Sequence, residues 1–137
     1  MILIVCADDN GGVMFNHRRQ SRDRVLRSRV LQMTEGKKLW MSEYSARQFG
    51  PELAPQITVC NELLEQAGPG EYCFLEGQPT AGAADRVESV ILFKWNRVYP
   101  TDVTFDLWPL EEPWQLTEVS EFEGSSHEKI TMEVYVK

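Results

Sequence analysis

The stretch Ile2-Leu3-Ile4-Val5-Cys6-Ala7, running directly into Asp8-Asp9-Asn10-Gly11-Gly12, decides how the chain is read. A continuous apolar run rich in β-branched residues, stopped by Asn and Gly, predicts a strand buried on both faces of a sheet. In open α/β sheets small molecules bind in the crevice beyond the carboxyl ends of the strands, so the polar loop after Ala7 marks the expected binding edge. Asp8, Asp9 and Asn10 resemble half of a metal loop. They lack the remaining oxygen ligands at calcium-loop spacing, however, and read as turn residues.

Working outward, strand and helix signals alternate. Ser21 is the expected N-cap of a first helix whose apolar positions Leu26, Val30 and Met33 recur at helical spacing until Gly36. Lys38–Met41 reads as a short strand, and Ser42 caps a second helix that reaches about Phe49 and closes at Gly50-Pro51. Ile57–Cys60 is a brief strand, and Asn61 caps a helix to about Ala67. Tyr72–Leu75 and Val90–Phe93 are buried strands, with room for a turn or two of helix between Thr80 and Asp85. In the tail, Ile130, Met132, Val134 and Val136 alternate with polar partners, so 129–136 should pair with 114–122 as an antiparallel hairpin across Gly124-Ser125-Ser126. The expected architecture is one α/β domain over residues 1–137: three layers, with a mostly parallel central sheet and a C-terminal antiparallel hairpin.

Composition narrows the function. A net charge of −7 over 137 residues argues against nucleic acid as a main partner. Arg18, Arg19, Arg22, Arg24, Arg27 and Arg29 crowd one segment. They read as a solvated helix face, and whether they bind phosphate stays open. The apolar runs fall short of the roughly 20 residues a membrane span needs, and the amino terminus lacks a signal-peptide layout, so a cytoplasmic location is expected. Cys6, Cys60 and Cys73 show no metal-ligand spacing and read as small hydrophobes in a reducing compartment, with no metal bound. Trp40, Trp95, Trp108 and Trp114 read as core or cap residues. Hydrolysis by the common mechanisms is not expected: there is no GxSxG elbow, and of the two histidines His17 sits in a loop over the crevice. His127 reads as a loop residue with no acid or nucleophile at a diagnostic spacing.

One carboxylate stands out. Asp23 shares the helical stripe of Leu26, Val30 and Met33, so it faces inward, which is costly unless the group is used or paired. The first turn of a helix also favours negative charge, and that alone would explain an acid there.

The opening Val5-Cys6-Ala7-Asp8-Asp9-Asn10-Gly11-Gly12-Val13, the Ser21-Arg22-Asp23 helix start, Asp102-Val103-Thr104-Phe105 and the closing Ser120-Glu121-Phe122…Ser126-His127 hairpin together resemble dihydrofolate reductase. The resemblance implies that Asp23 is the acid that binds a pterin and supports its protonation, that Thr104 hydrogen-bonds this acid, and that the backbone of Val5 and Cys6 borders the ring. A carboxylate in such a pocket can hold a cyclic amidine through two parallel hydrogen bonds.

On the cofactor side the chain departs from the family. Where the family has Gly-Arg-x-Thr for NADPH phosphates, this sequence has Ser42-Glu43-Tyr44-Ser45, so only the Ser45 hydroxyl remains and Glu43 opposes an anion. The family's Gly-Gly beside the cofactor becomes Glu76-Gly77. The strand and loop for the 2′-phosphate and adenine have no counterpart between Gly50 and Cys60. Two classes therefore stay open. The favoured one is a binding or regulatory module with a residual pocket for a flat heterocycle and a degraded NADPH site at Ser45 and Gly77. The other is a divergent NADPH-dependent reductase of dihydrofolate or a related pterin.

Overall fold

The apolar opening run forms β1 (Ile2–Ala7), the middle strand of a seven-stranded sheet. The computed structural model describes residues 1–50 and 54–137. β1 pairs in parallel with β6 (Tyr72–Leu75) on one side and with β7 (Ser89–Lys94) on the other. Outside β6 lie β4 (Leu39–Met41) and then β5 (Ile57–Val59), again parallel. Outside β7 the direction reverses: β10 (Ile130–Val136) and β9 (Gln115–Phe122) are the expected antiparallel hairpin, with a bulge between Val134 and Tyr135. A small second sheet, built from β2 (Gly12–Phe15), β3 (Arg18–Arg19) and β8 (Val103–Thr104), follows from the carboxyl end of β1.

Strand alternation explains the two cores. Leu3, Val5 and Ala7 of β1, Cys73 and Leu75 of β6, and Val90 and Leu92 of β7 face one layer, shared with Leu63 of α3 (Leu63–Gln66). Ile4, Phe74, Ile91 and Phe93 face the other, beneath Leu26 and Val30 of α1 (Arg24–Met33) and Ala46 of α2 (Glu43–Gln48). A continuous apolar run is what a strand covered on both faces requires.

The local expectations differ from the structure in three places. α1 is capped by Asp23, not Ser21: Asp23 is extended, at φ −151° and ψ 129°, and its carboxylate accepts from the Val25 and Leu26 amides. Asn61 does not cap α3. Its Oδ1 accepts from the Glu43 amide, 3.0 Å away at the start of α2. The segment after Thr80 holds a 3₁₀ turn at Ala84–Arg86. Ser42 does cap α2, accepting from the Ser45 amide. Gly50 follows the Phe49 C-cap at φ +101°, whereas Pro51 lies outside the described residues.

Asp8 organises the loop at the binding edge. It is fully buried; Oδ1 accepts from the Asn10 and Gly12 amides, and Oδ2 from the Tyr99 amide and Gln20 Nε2. Gly11, at φ +76°, carries the turn under the Trp108 indole, into which any Cβ would run. Gly11→Ala combines left-handed strain with overpacking and should lower stability by about 2 kcal/mol, read as a reduced urea midpoint at unchanged slope. A wild-type midpoint would mean that the Trp108 contact is dispensable.

No helix among the described residues is long and apolar enough to cross a membrane.

Candidate functional site

The carboxyl ends of β1 and β6 meet the small sheet, and here the chain fills its own crevice. Arg19 reaches back from β3 to Glu76, which follows β6. Nε lies 2.7 Å from Oε2 and Nη2 lies 3.0 Å from Oε1, a bidentate pair. Gln48 Nε2 donates to the same Oε1 at 3.0 Å. The Arg19 amide donates to the Tyr44 hydroxyl, and its guanidinium carbon sits 4.3 Å from the Tyr44 ring centroid. Burial alone would lower the Arg19 pKa, but the hydrogen bond and charge of Glu76 outweigh it and raise it. The space left among Cys6, Arg19, Ser21, Leu75, Glu76 and Trp95 is about 10 Å³, room for one water at most. Burial and the Glu76 charge keep the Cys6 thiol pKa well above its ordinary range.

Three residues expected at the site converge elsewhere. Val5, Gly77 and Thr104 line one cavity of about 100 Å³ together with Leu75, Phe105 and Asp106. Gly77 takes φ +89°, and a Cβ there would lie 2.8 Å from Met14 Cγ of β2. The close approach that Gly77 allows is thus already used by the chain's own Met14. The Asp106 carboxylate accepts from both the amide and the hydroxyl of Thr80.

Ser45 is fully buried. Its amide donates to Ser42 Oγ, and its hydroxyl lies 3.3 Å from the same oxygen. With Asn61 Oδ1 on the Glu43 amide, the Glu43 and Ser45 amides at the start of α2 already have acceptors within the chain.

Asp23 and Thr104 are not brought together by a hydrogen bond. Thr104 pairs with Gly12 in the small sheet. Asp23, 2 % exposed, is enclosed by its own helix and the hairpin loop: Oδ1 accepts from the Val25, Leu26 and Ser125 amides, and Oδ2 from the Ser126 amide, the Ser126 hydroxyl and His127 Nδ1. No edge of the carboxylate is left for two parallel bonds to a ligand. Burial pushes the Asp23 pKa up, but the bonds from His127 and from the Ser126, Ser125 and Leu26 amides outweigh it and hold the group well below the usual carboxylate range.

His127 corrects the sequence reading most clearly. It does lie in the hairpin loop, but buried, at 8 % exposed. Nδ1 lies 3.0 Å from Asp23 Oδ2, Nε2 lies 3.0 Å from Ser21 Oγ and 3.1 Å from the Tyr99 hydroxyl, and the ring stacks on Trp95 at 4.4 Å between centroids. An acid 104 positions away, a serine hydroxyl 106 positions away and a tyrosine hydroxyl 28 positions away are therefore at hand. The one local hint was the Ser125-Ser126-His127 run itself. His17 lies exposed in a turn at φ +63°. Cys73 is buried, Cys6 and Cys60 are half-buried, and all three thiols are free. Among the described residues no cluster of three or more His, Cys, Asp or Glu side chains is placed to hold a metal ion.

A mixed seven-stranded sheet between helical layers, closed by an antiparallel hairpin, defines an α/β protein of dihydrofolate-reductase-like fold. Among solved structures, the dihydrofolate reductase from Enterococcus faecalis complexed with NADP(H) and RAB-propyl superposes with a TM-score of 0.66, covering 98% of this chain and 94% of that one at 10% sequence identity. No family model matches the chain, and no curated protein matches it.

Proposed function

We propose that the chain uses a dihydrofolate-reductase-like fold as a binding or regulatory module and does not carry out NADPH-dependent hydride transfer. The observation that carries this reading is the Arg19–Glu76 pair, which leaves about 10 Å³ at the end of β1, far below the roughly 300–1,000 Å³ of ordinary ligand pockets. The residues on the cofactor side do not fit a dinucleotide. Ser45 spends its hydroxyl inside the protein, Glu43 brings negative charge to the start of α2, Glu76 is tied up with Arg19, and Met14 covers Gly77. The small-molecule function then rests on the cavity of Val5, Gly77 and Thr104. At about 100 Å³ it takes the edge of one flat heterocyclic ring, with the Thr104 side chain as a polar contact. One domain in a reducing, cytoplasmic setting suits the three free thiols.

The test is a pair of titrations followed by thermal unfolding and tryptophan fluorescence. A bound ligand at 100 times its Kd stabilises by about 2.7 kcal/mol. NADPH is expected to leave the melting temperature unchanged, and NADPH with dihydrofolate should show no loss of reduced-nicotinamide absorbance. A simple pterin should raise the melting temperature, and Thr104→Val should reduce that rise. Turnover of NADPH with dihydrofolate would overturn the reading in favour of a divergent reductase.

A further inference from the structure

We propose that the cavity beside the β2–β3 hairpin binds a small aromatic carboxylate, with its ring against Phe15 and Tyr99 and its acid group on the Arg18 guanidinium. This inference does not rest on the binding-module reading, since the cavity shares no lining residue with the one formed by Val5, Gly77 and Thr104.

The hairpin sets two of the three groups. β2 and β3 are joined by Asn16 and His17, at φ 51° and 63°, a two-residue turn whose backbone twist matches that of the strands. The turn makes Phe15 and Arg18 directly opposed partners, so their side chains leave the same face of the hairpin side by side. Phe15 is 47% exposed, a large apolar ring left in solvent. Arg18 is exposed as well, and unlike Arg19 its guanidinium has no carboxylate partner among the described residues.

The rest of the wall is already held in place. The Tyr99 amide donates to Asp8 Oδ2 at 3.1 Å and its hydroxyl lies 3.1 Å from His127 Nε2, which anchors the residue at both ends. Gln20 Nε2 donates to Asp8 Oδ2 and to the Pro100 carbonyl, and the Asn16 amide donates to Asp102 Oδ2, so the hairpin and the Tyr99 segment are tied together. These residues enclose about 360 Å³, within the roughly 300–1,000 Å³ of ordinary ligand pockets. Phe15 and Arg18 are the two lining groups whose side chains have nothing in the protein to do.

Charge selects the ligand. No Asp or Glu lines the cavity among the described residues. Asp8 is fully buried with both oxygens engaged, and Arg19 is neutralised by Glu76. That leaves one free guanidinium in the lining, whose planar fork matches one carboxylate through two parallel hydrogen bonds. The Phe15 and Tyr99 rings offer an aryl group offset or edge-to-face packing. A phosphate monoester, with more charge to neutralise, would need a second free cation that the lining lacks.

The full chain should be titrated with cinnamate and, as its neutral counterpart, with cinnamyl alcohol, followed by amide and arginine side-chain NMR. Cinnamate is expected to give saturable shifts at Phe15, Asn16, Arg18 and Tyr99 and at the Arg18 Nε–H, and cinnamyl alcohol to bind about tenfold more weakly. Arg18→Gln should weaken cinnamate by about the same factor, and Arg18→Lys, which keeps the charge without the fork, should fall between. Phe15→Ala should weaken acid and alcohol alike by several-fold. Both side chains are exposed, so the variants should melt within a few degrees of wild type. No saturable shift up to about 10 mM, shifts confined to the Thr104 cavity, undiminished affinity in Arg18→Gln, or tighter binding of inorganic phosphate than of cinnamate would each overturn the proposal. Thr104→Val should leave cinnamate affinity unchanged, and Arg18→Gln should leave the pterin-induced rise in melting temperature unchanged, so the two sites fail separately.

Discussion

Asp23→Ala is expected to lower the unfolding free energy by about 3–5 kcal/mol. The substitution strands the Ser125 and Ser126 amides and His127 Nδ1 in a nearly dry site, and it removes the cap of α1, itself worth about 1 kcal/mol. It also unties the hairpin loop from α1, for which no other residue supplies both oxygens. Urea unfolding followed by circular dichroism measures the loss; a change below about 1 kcal/mol would mean that the loop–helix tie is solvated.

The same group sets an acid limit. The folded-state pKa of Asp23 lies below its unfolded value of 3.8, so its contribution is complete above that value and is lost as pH falls beneath it toward the folded value. Wild-type stability should therefore fall steeply below about pH 4, and the Asp23→Ala protein should show a shallower slope over that range. Equal slopes would show that other carboxylates govern acid unfolding.

The frame was legible because its signals are local. The run at β1 and the alternation over Ile130–Val136 carry their periodicity in a few consecutive residues, and burial on two faces or one follows from it. The position of α1 was legible, but its cap was not. Ser21 and Asp23 are both good capping residues, and the choice between them is made by the Ser125-Ser126-His127 loop, which takes Asp23 as an acceptor and leaves Ser21 to the imidazole. The inward direction of Asp23 was visible in the spacing to Leu26 and Val30. Its partners in the hairpin loop were not, because they lie more than a hundred positions away. Val5, Gly77 and Thr104 reach one cavity because β1, the turn after β6 and β8 end side by side, a consequence of strand order that no local pattern contains.

Glu76 shows the same limit in its chemistry. By the resemblance it is an acid facing the expected pyrophosphate; in the structure it is half of a clamp, and Arg19 is the arginine of the crowded segment that forms an ion pair among the described residues. The Glu76 and Arg19 side chains retain 9% and 18% of their exposure, so the pair behaves as a largely desolvated one. Arg19→Ala leaves Glu76 with Gln48 alone and should cost about 3 kcal/mol. Glu76→Gly should cost a comparable amount. The double variant should cost clearly less than the sum of the two, with a coupling of about 1–3 kcal/mol in a urea double-mutant cycle. Additive costs would mean that the two charges are screened by water and that something else closes the crevice. The double variant also separates steric closure from cofactor chemistry. It reopens the space beside Cys6, yet Ser45 remains buried against Ser42, Glu43 remains at the start of α2 and Met14 still covers Gly77, so NADPH should still fail to bind.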